Sequence, residues 1–339
     1  MKRFGLLGAG ALVALAGAIG ARFTAEVLQS GDPPVALWAA DRDGNAVYGL
    51  DEDLILTCRA VVERPTAVAA RPDGGAWVLR AADWTPAGAS SLVRIDARGV
   101  VRSEVGLRTC SDLACLGDGS AIVLEKHGDE DGRDRVLACR EDGSVEVAFR
   151  ARELTCVAAL DGSIAIGDAE GVVRRVALAA LGTVLASVDV HGRITGIEAA
   201  PRGGGVWALA VSDGRARVHR LGPALEVRWT ADVGSPAPSL GADDDGENLW
   251  LVDGDGSAAR RLDERGAVVV DLQDLPLLGA GRAIAARGGG VTIATPGCIL
   301  RLDRSGSPLP GQGGFAHLVD IDRVPRTRPA QAANSLASD

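Results

Sequence analysis

Apolar residues in this chain alternate with polar ones, or run for four to six positions, before each stretch stops at a cluster of Gly, Asp, Asn or Ser. The clearest unit is Glu247–Leu272, ENLWLVDGDGSAARRLDERGAVVVDL. It predicts a strand at LWLV, a turn at DGDGS, a strand at AARRLD, a turn at ERG and a strand at AVVVDL. The same order of runs and turns recurs at Ala36–Val61, Gly74–Val105, Gly119–Phe149, Gly162–Val188, Gly204–Trp229 and Gly289–Pro308. Such short Val-, Ile- and Thr-rich runs broken by DG, GG or RG cannot hold a helix of useful length.

Aligned on the strand after the small-residue turn, the copies bring Trp38, Trp77, Ile122, Ala165, Trp207, Trp250 and Thr292 into register, 39 to 45 residues apart. Four of the six tryptophans fall on this one position. A repeat of that length with about four strands predicts a β-propeller blade. Each later copy opens with one more apolar run: TAVAA (66–70), DLACL (112–116), LTCVAAL (154–160), ITGIEAA (194–200), APSLGA (237–242) and AIAA (283–286). These are the expected innermost strands. The first copy lacks one, and GFAHLVDID (314–322) is left over after the last. The expected fold is therefore an all-β, seven-bladed propeller whose C-terminal strand completes the N-terminal blade, leaving no open sheet to pair with other molecules.

The motifs LWAADRDGNAVYGLD (37–51) and LWLVDGDGSAARRLDERGAVV (249–269) resemble the NHL repeat, and the wider class of related propellers that includes the streptogramin-lyase-like group. Asp41 and Asn45, and again Asp253 and Ser257, stand where that family places its turn residues. The second turn recurs at 96–99, 141–143, 263–266 and 303–306, and the resemblance spans roughly 35–322. It implies a fold shared by lyases, lactonases, protein-contact modules and RNA binders, so activity has to be argued from a site.

Composition narrows the partners. The net charge is −9 without a basic stripe, which argues against nucleic acid. Nothing in the sequence implies a cofactor, and the expected state is a monomer. The Ala/Gly/Arg/Val/Asp bias reads as compositional drift. MKRFGLLGAGALVALAGAIGA (1–21) has the layout of an export signal, or of a membrane tether through residues 4–21. A linker is expected at 22–34, the propeller at 35–322 and a disordered tail at 323–339. The protein is expected to be exported: periplasmic, cell-surface or extracellular. The six cysteines lie mostly within or beside strands and read mainly as buried free thiols.

Five arginines, Arg64, Arg108, Arg152, Arg193 and Arg282, lie 10 to 14 residues before the aligned position, just ahead of the innermost strands. There they can line the channel mouth and bind an anion through bidentate bonds; the plainer reading is an Arg-rich chain aligning by chance. Trp84, in the loop 80–91, is a candidate contact residue on the rim. Candidates for catalysis are His191 and His317, with Glu153, Asp112 or Glu198 as the carboxylate, although no spacing ties them together. Asp41, Asp43, Asp253 and Asp255 match part of a calcium-loop spacing, but Ala46 and Ala258 replace the required glycine, and capping of hairpin turns explains the same residues. The sequence therefore points to non-catalytic binding of a protein or a small anionic ligand through one face, with a channel-centred lyase or hydrolase of streptogramin-lyase or lactonase type as the alternative.

Overall fold

The computed structural model describes residues 34–325 apart from 82–89, 129, 201–204, 235–238, 243–247, 254–256, 274, 276–281 and 286–288, and only the backbone at 282–285. The expected export signal or membrane tether, the far end of the tail, Trp84 and Asp255 lie outside the described residues. What is described contains 28 strands in seven antiparallel sheets of four, with no helical element among them. Each sheet is one blade, and its strands pair in chain order from the channel outwards, as in the second blade: Pro65–Ala70, Ala76–Ala81, Ser90–Ile95, Val101–Leu107.

The first blade is the exception that closes the ring. Leu318–Arg323 is its innermost strand and pairs with Leu37–Asp41, setting Asp322 opposite Trp38 and Ile321 opposite Ala39. That strand also packs between the innermost strands of the second and seventh blades, Pro65–Ala70 and Arg282–Ala285. Phe315 meets the Tyr48 ring edge-on, with centroids 5.3 Å apart. Ring closure follows the sequence expectation.

Strand alternation here separates two buried surfaces, where in an open sheet it would separate core from solvent. Leu37 and Ala39 pack with Ala294 and Ile299 of the last blade. Trp38 and Ala40 turn the other way, against Val68, Val78 and Val93 of the second blade. Hence a second strand such as LWAAD is buried at every position, and apolar runs appear in the sequence where half-buried strands would alternate.

The aligned tryptophans bind the blades to one another. Trp38, Trp77 and Trp250 donate from Nε1 to the carbonyls of Gly74 (3.0 Å), Gly119 (2.8 Å) and Gly289 (2.8 Å), each in the first turn of the following blade. All three acceptors have φ between 82° and 87°, a left-handed conformation in which glycine is favoured. The repeated turn glycine and the repeated Trp thus belong to one contact.

Opposite the aligned position, the third strand carries Arg94, Arg175, Arg261 and Arg301. Their guanidinium groups donate into the outer turn of the next blade, at Glu141 O (3.1 Å), Pro223 O (2.6 Å), Arg304 O (2.7 Å) and Glu52 O (3.0 Å). The last of these ties blade seven back to blade one. Part of the arginine content is therefore structural, contrary to its reading as drift.

All six cysteines are free; Cys139 and Cys156 are buried, and Cys58, Cys110, Cys115 and Cys298 are partly buried. Burial pushes the thiols of Cys110, Cys115 and Cys139 up to about 12, and that of Cys156 up as well.

Candidate functional site

Every innermost strand is reached from the outer strand of the blade before it, so all seven begin on one face, which is called the mouth here. The turns between second and third strands lie on the same face. Its geometry is set by a defect repeated at the start of the innermost strands. In blades one to five the pairing with the second strand slips by one residue, leaving Val319, Thr66, Ser111, Thr155 and Thr195 as the extra residue of a bulge. Sixth- and seventh-blade inner strands, Ser239–Ala242 and Arg282–Ala285, pair in unbroken register.

The bulges define equivalent positions better than sequence spacing does. Two residues before the bulge stand His317, Arg64, Thr109, Glu153 and Arg193. The carbonyls of the first four accept from Arg42, Ala81, Lys126 and Ala169 at the ends of their second strands, which confirms the equivalence. Arg64 and Arg193 therefore share a station, whereas Arg108 and Arg152 sit one residue earlier. The five arginines occupy one face in staggered positions, and Arg282 opens the innermost strand of blade seven. Arg108, Arg152 and Arg193 are exposed and Arg64 is partly buried. Arg108 donates from Nη1 to Gly128 O at 3.3 Å.

Backbone strain concentrates here as well. Among the described residues eight non-glycine residues have positive φ, and six of them lie on the mouth: Asn45, Arg64, His127, Glu153, His191 and Asp213. Arg64 (45°), Glu153 (53°) and His191 (57°) lie in loops that lead into innermost strands, whereas the loops leading into blades six and one place Gly234 (72°) and Gly314 (94°) in that conformation. A side-chain-bearing residue there costs on the order of 1 kcal/mol relative to glycine.

Inside the channel, the free edge of each innermost strand presents unpaired amides, and carboxylates cover several of them. Asp320 accepts from its neighbour Ile321 and from Val68 of the second blade (both 3.0 Å). Asp112 does the same for Leu113 (3.0 Å) and for Val157 of the fourth blade (2.8 Å). Asp322 accepts from Arg323 (2.7 Å) and Ala70 (2.8 Å), and burial pushes its carboxyl up to about 7. Asp112, a sequence candidate for a catalytic carboxylate, thus serves as a clip between blades. Sequence reading missed the other two because their partners are 252 residues away.

The two candidate histidines sit at the rim. His317 Nδ1 lies 3.2 Å from Asp43 Oδ2, with both side chains substantially exposed, and His191 Nδ1 lies 3.3 Å from Asp189 Oδ1 on an exposed loop. Asp41 accepts from the amides of Gly44, Ala316 and His317 at 2.7–3.0 Å, so its oxygens hold a turn and the closing strand, as the turn-capping reading expects. Asp253 follows the strand Leu249–Val252, its amide bonded to Ala258 O. Among the described residues no group of three or more His, Cys, Asp or Glu side chains stands at metal-binding spacing.

No model of a known protein family matches the sequence, and no curated protein matches it. Solved structures share the fold. A functionally unknown protein from Desulfotomaculum acetoxidans superposes with a TM-score of 0.66 at 13% identity, covering 86% of this chain and 100% of its own. Virginiamycin B lyase from Staphylococcus aureus gives 0.59 at 13%, covering 79% and 93%. BamB from Moraxella catarrhalis gives 0.53 at 18%, covering 88% of each chain. At these identities the similarity is one of fold alone, that of a β-propeller.

Proposed function

We propose that the protein is an exported, non-catalytic binding propeller that engages a protein or a small anionic ligand through the mouth. The observation that carries this reading is the left-handed trio of Arg64, Glu153 and His191 in loops that lead into innermost strands. Strain retained where glycine would relieve it implies that the side chains are needed. They stand on the face that also carries Arg108, Arg152 and Arg193, exposed to solvent. Among the described residues, six of the eight left-handed non-glycine positions lie on this face, and the two on the opposite face, Leu54 and Leu225, are apolar and buried.

The test is titration calorimetry of the full chain with citrate and with poly-aspartate, before and after replacing Arg108 and Arg152 by Ala. Binding that weakens with added salt and drops in the variant supports the reading. Unchanged binding in the variant contradicts it. Export is tested by fractionating producing cells and weighing the recovered chain: material outside the cytoplasm, whole or cleaved near residue 21, fits, and purely cytoplasmic material does not.

A second reading, a channel-centred lyase or hydrolase, is favoured by the His317–Asp43 pair beside the closing strand and by the likeness of fold to virginiamycin B lyase. In it Asp43 orients the imidazole and His317 takes the proton. Turnover of a cyclic ester substrate that vanishes in His317→Ala would establish it.

A further inference from the structure

We infer that the mouth holds a one-sided site for a small, multiply charged oxyanion, formed by hydroxyls on the bulges of blades two to five together with the arginines just before them. This rests on the reading of the mouth as the binding face and adds where on it the ligand sits and what chemistry it has.

Four innermost strands in succession carry the bulge, and the extra residue is Thr66, Ser111, Thr155 or Thr195. A hydroxyl stands there every time, although these strands are otherwise dominated by Ala, Val, Leu and Cys. Thr66 is exposed between buried Pro65 and Ala67, Thr195 is exposed beside buried Ile194, Ser111 is exposed, and Thr155 is partly exposed between buried Leu154 and Cys156. A bulge re-aims a side chain out of the regular pleat, and these residues meet solvent where their neighbours are packed between blades.

The arginines follow the same four blades. Arg64 and Arg193 come two residues before their bulges, and Arg108 and Arg152 three before. The first blade breaks the pattern on both counts, with Val319 on its bulge and Ala316-His317 ahead of it. Among the described residues, an arginine followed by a hydroxyl on a bulge is therefore found on blades two to five, with Arg282 of blade seven standing apart from that arc.

Guanidinium groups only donate, and hydroxyls both donate and accept; the Thr66 hydroxyl gives its proton to Leu79 O at 3.3 Å and has to turn from it to donate to a ligand. Together they suit a ligand with several charged oxygens and some hydroxyls: a polycarboxylate or a phosphate ester. The bulges lie within the innermost strands, behind the lead-in loops, which favours a small molecule over a protein surface. Glu153 shares the station of Arg64 and Arg193, so it opposes an anion and limits its affinity.

Titration calorimetry of the full chain tests this with citrate, pyrophosphate and, as neutral control, glucose. The expected result is binding of citrate if the natural ligand is a polycarboxylate, or of pyrophosphate if it is a phosphate ester, without binding of glucose. Thr155→Val with Thr195→Val keeps shape and removes two hydroxyls, and should weaken binding roughly tenfold. Glu153→Gln should tighten it. The inference is overturned if neither anion binds at millimolar concentration, or if the Val pair binds as the parent does. Should Arg152→Ala with Arg193→Ala abolish binding while the Val pair leaves it intact, the mouth remains the binding face and the hydroxyl arc is rejected.

Discussion

The indole Nε1 of Trp77 donates to Gly119 O at 2.8 Å across the boundary between the second and third blades. With its counterparts at Trp38 and Trp250 it accounts for three of the four tryptophans at this position of the repeat: the residue fills the space between blades and fastens its far end to the next turn, whereas Trp207 packs edge-on against Trp229. Trp77→Phe keeps most of the packing and leaves Gly119 O unpaired, so it should cost about 1–3 kcal/mol. Equilibrium urea denaturation measures this. A loss within error of zero would show that the hydrogen bond adds nothing to the stacking.

The closing strand should depend on its clips. Asp320→Ala leaves the amides of Val68 and Ile321 without their acceptor and should cost about 2–3 kcal/mol. Arg301→Ala removes a latch at the exposed outer turn, to Glu52 O, and should cost less than about 1 kcal/mol. The reverse order in denaturation midpoints would mean that the ring is closed from outside.

Buried His219 and partly buried Asp322 give opposite pH slopes. Burial, helped by Arg217, holds His219 down at about 4. The unfolded chain takes up that proton first, so stability is complete above the ordinary histidine range and falls as pH drops from about 6.5 to 4. Asp322 is raised to about 7; its folded form keeps the proton longer, so its contribution is complete at low pH and is lost as pH rises from about 4 through 7. In His219→Gln the acid-side decline should flatten, and in Asp322→Asn the decline towards neutral pH should flatten. Curves parallel to the parent in both variants would refute the assignments.

Thiol chemistry should be slow in the folded state. With Cys110, Cys115 and Cys139 pushed up to about 12 and Cys156 buried, these four should react with an aromatic disulfide reagent at pH 8 only after denaturation. Reaction of all six within the mixing time in native buffer would contradict the burial.

Turn chemistry and apolar runs make the architecture legible because the blades repeat similar local choices: short apolar strands, turns rich in Gly and Asp, and in four blades a Trp at the same position. The spare strand near Phe315 could be matched to the blade of Trp38 by counting. Long-range partners were not legible. Nothing local to Asp320 announces that it caps Val68, and nothing in the spacing of Arg94 or Arg301 separates a latch between blades from chance enrichment. The spacing places the arginines ahead of the innermost strands but not at their stations, because a bulge inserts one residue without changing the composition around it. For the same reason the row of Thr66, Ser111, Thr155 and Thr195 is hidden in the repeat spacing and comes into register only when the innermost strands are aligned on their bulges.

The most direct measurement compares citrate binding by two variants that lose the same formal charge. Arg152→Ala with Arg193→Ala alters the mouth, and Arg98→Ala with Arg265→Ala alters exposed outer turns on the opposite face. If the mouth is the binding face, the first pair loses at least about tenfold in affinity and the second matches the parent. Equal losses in both, or none in either, would contradict it.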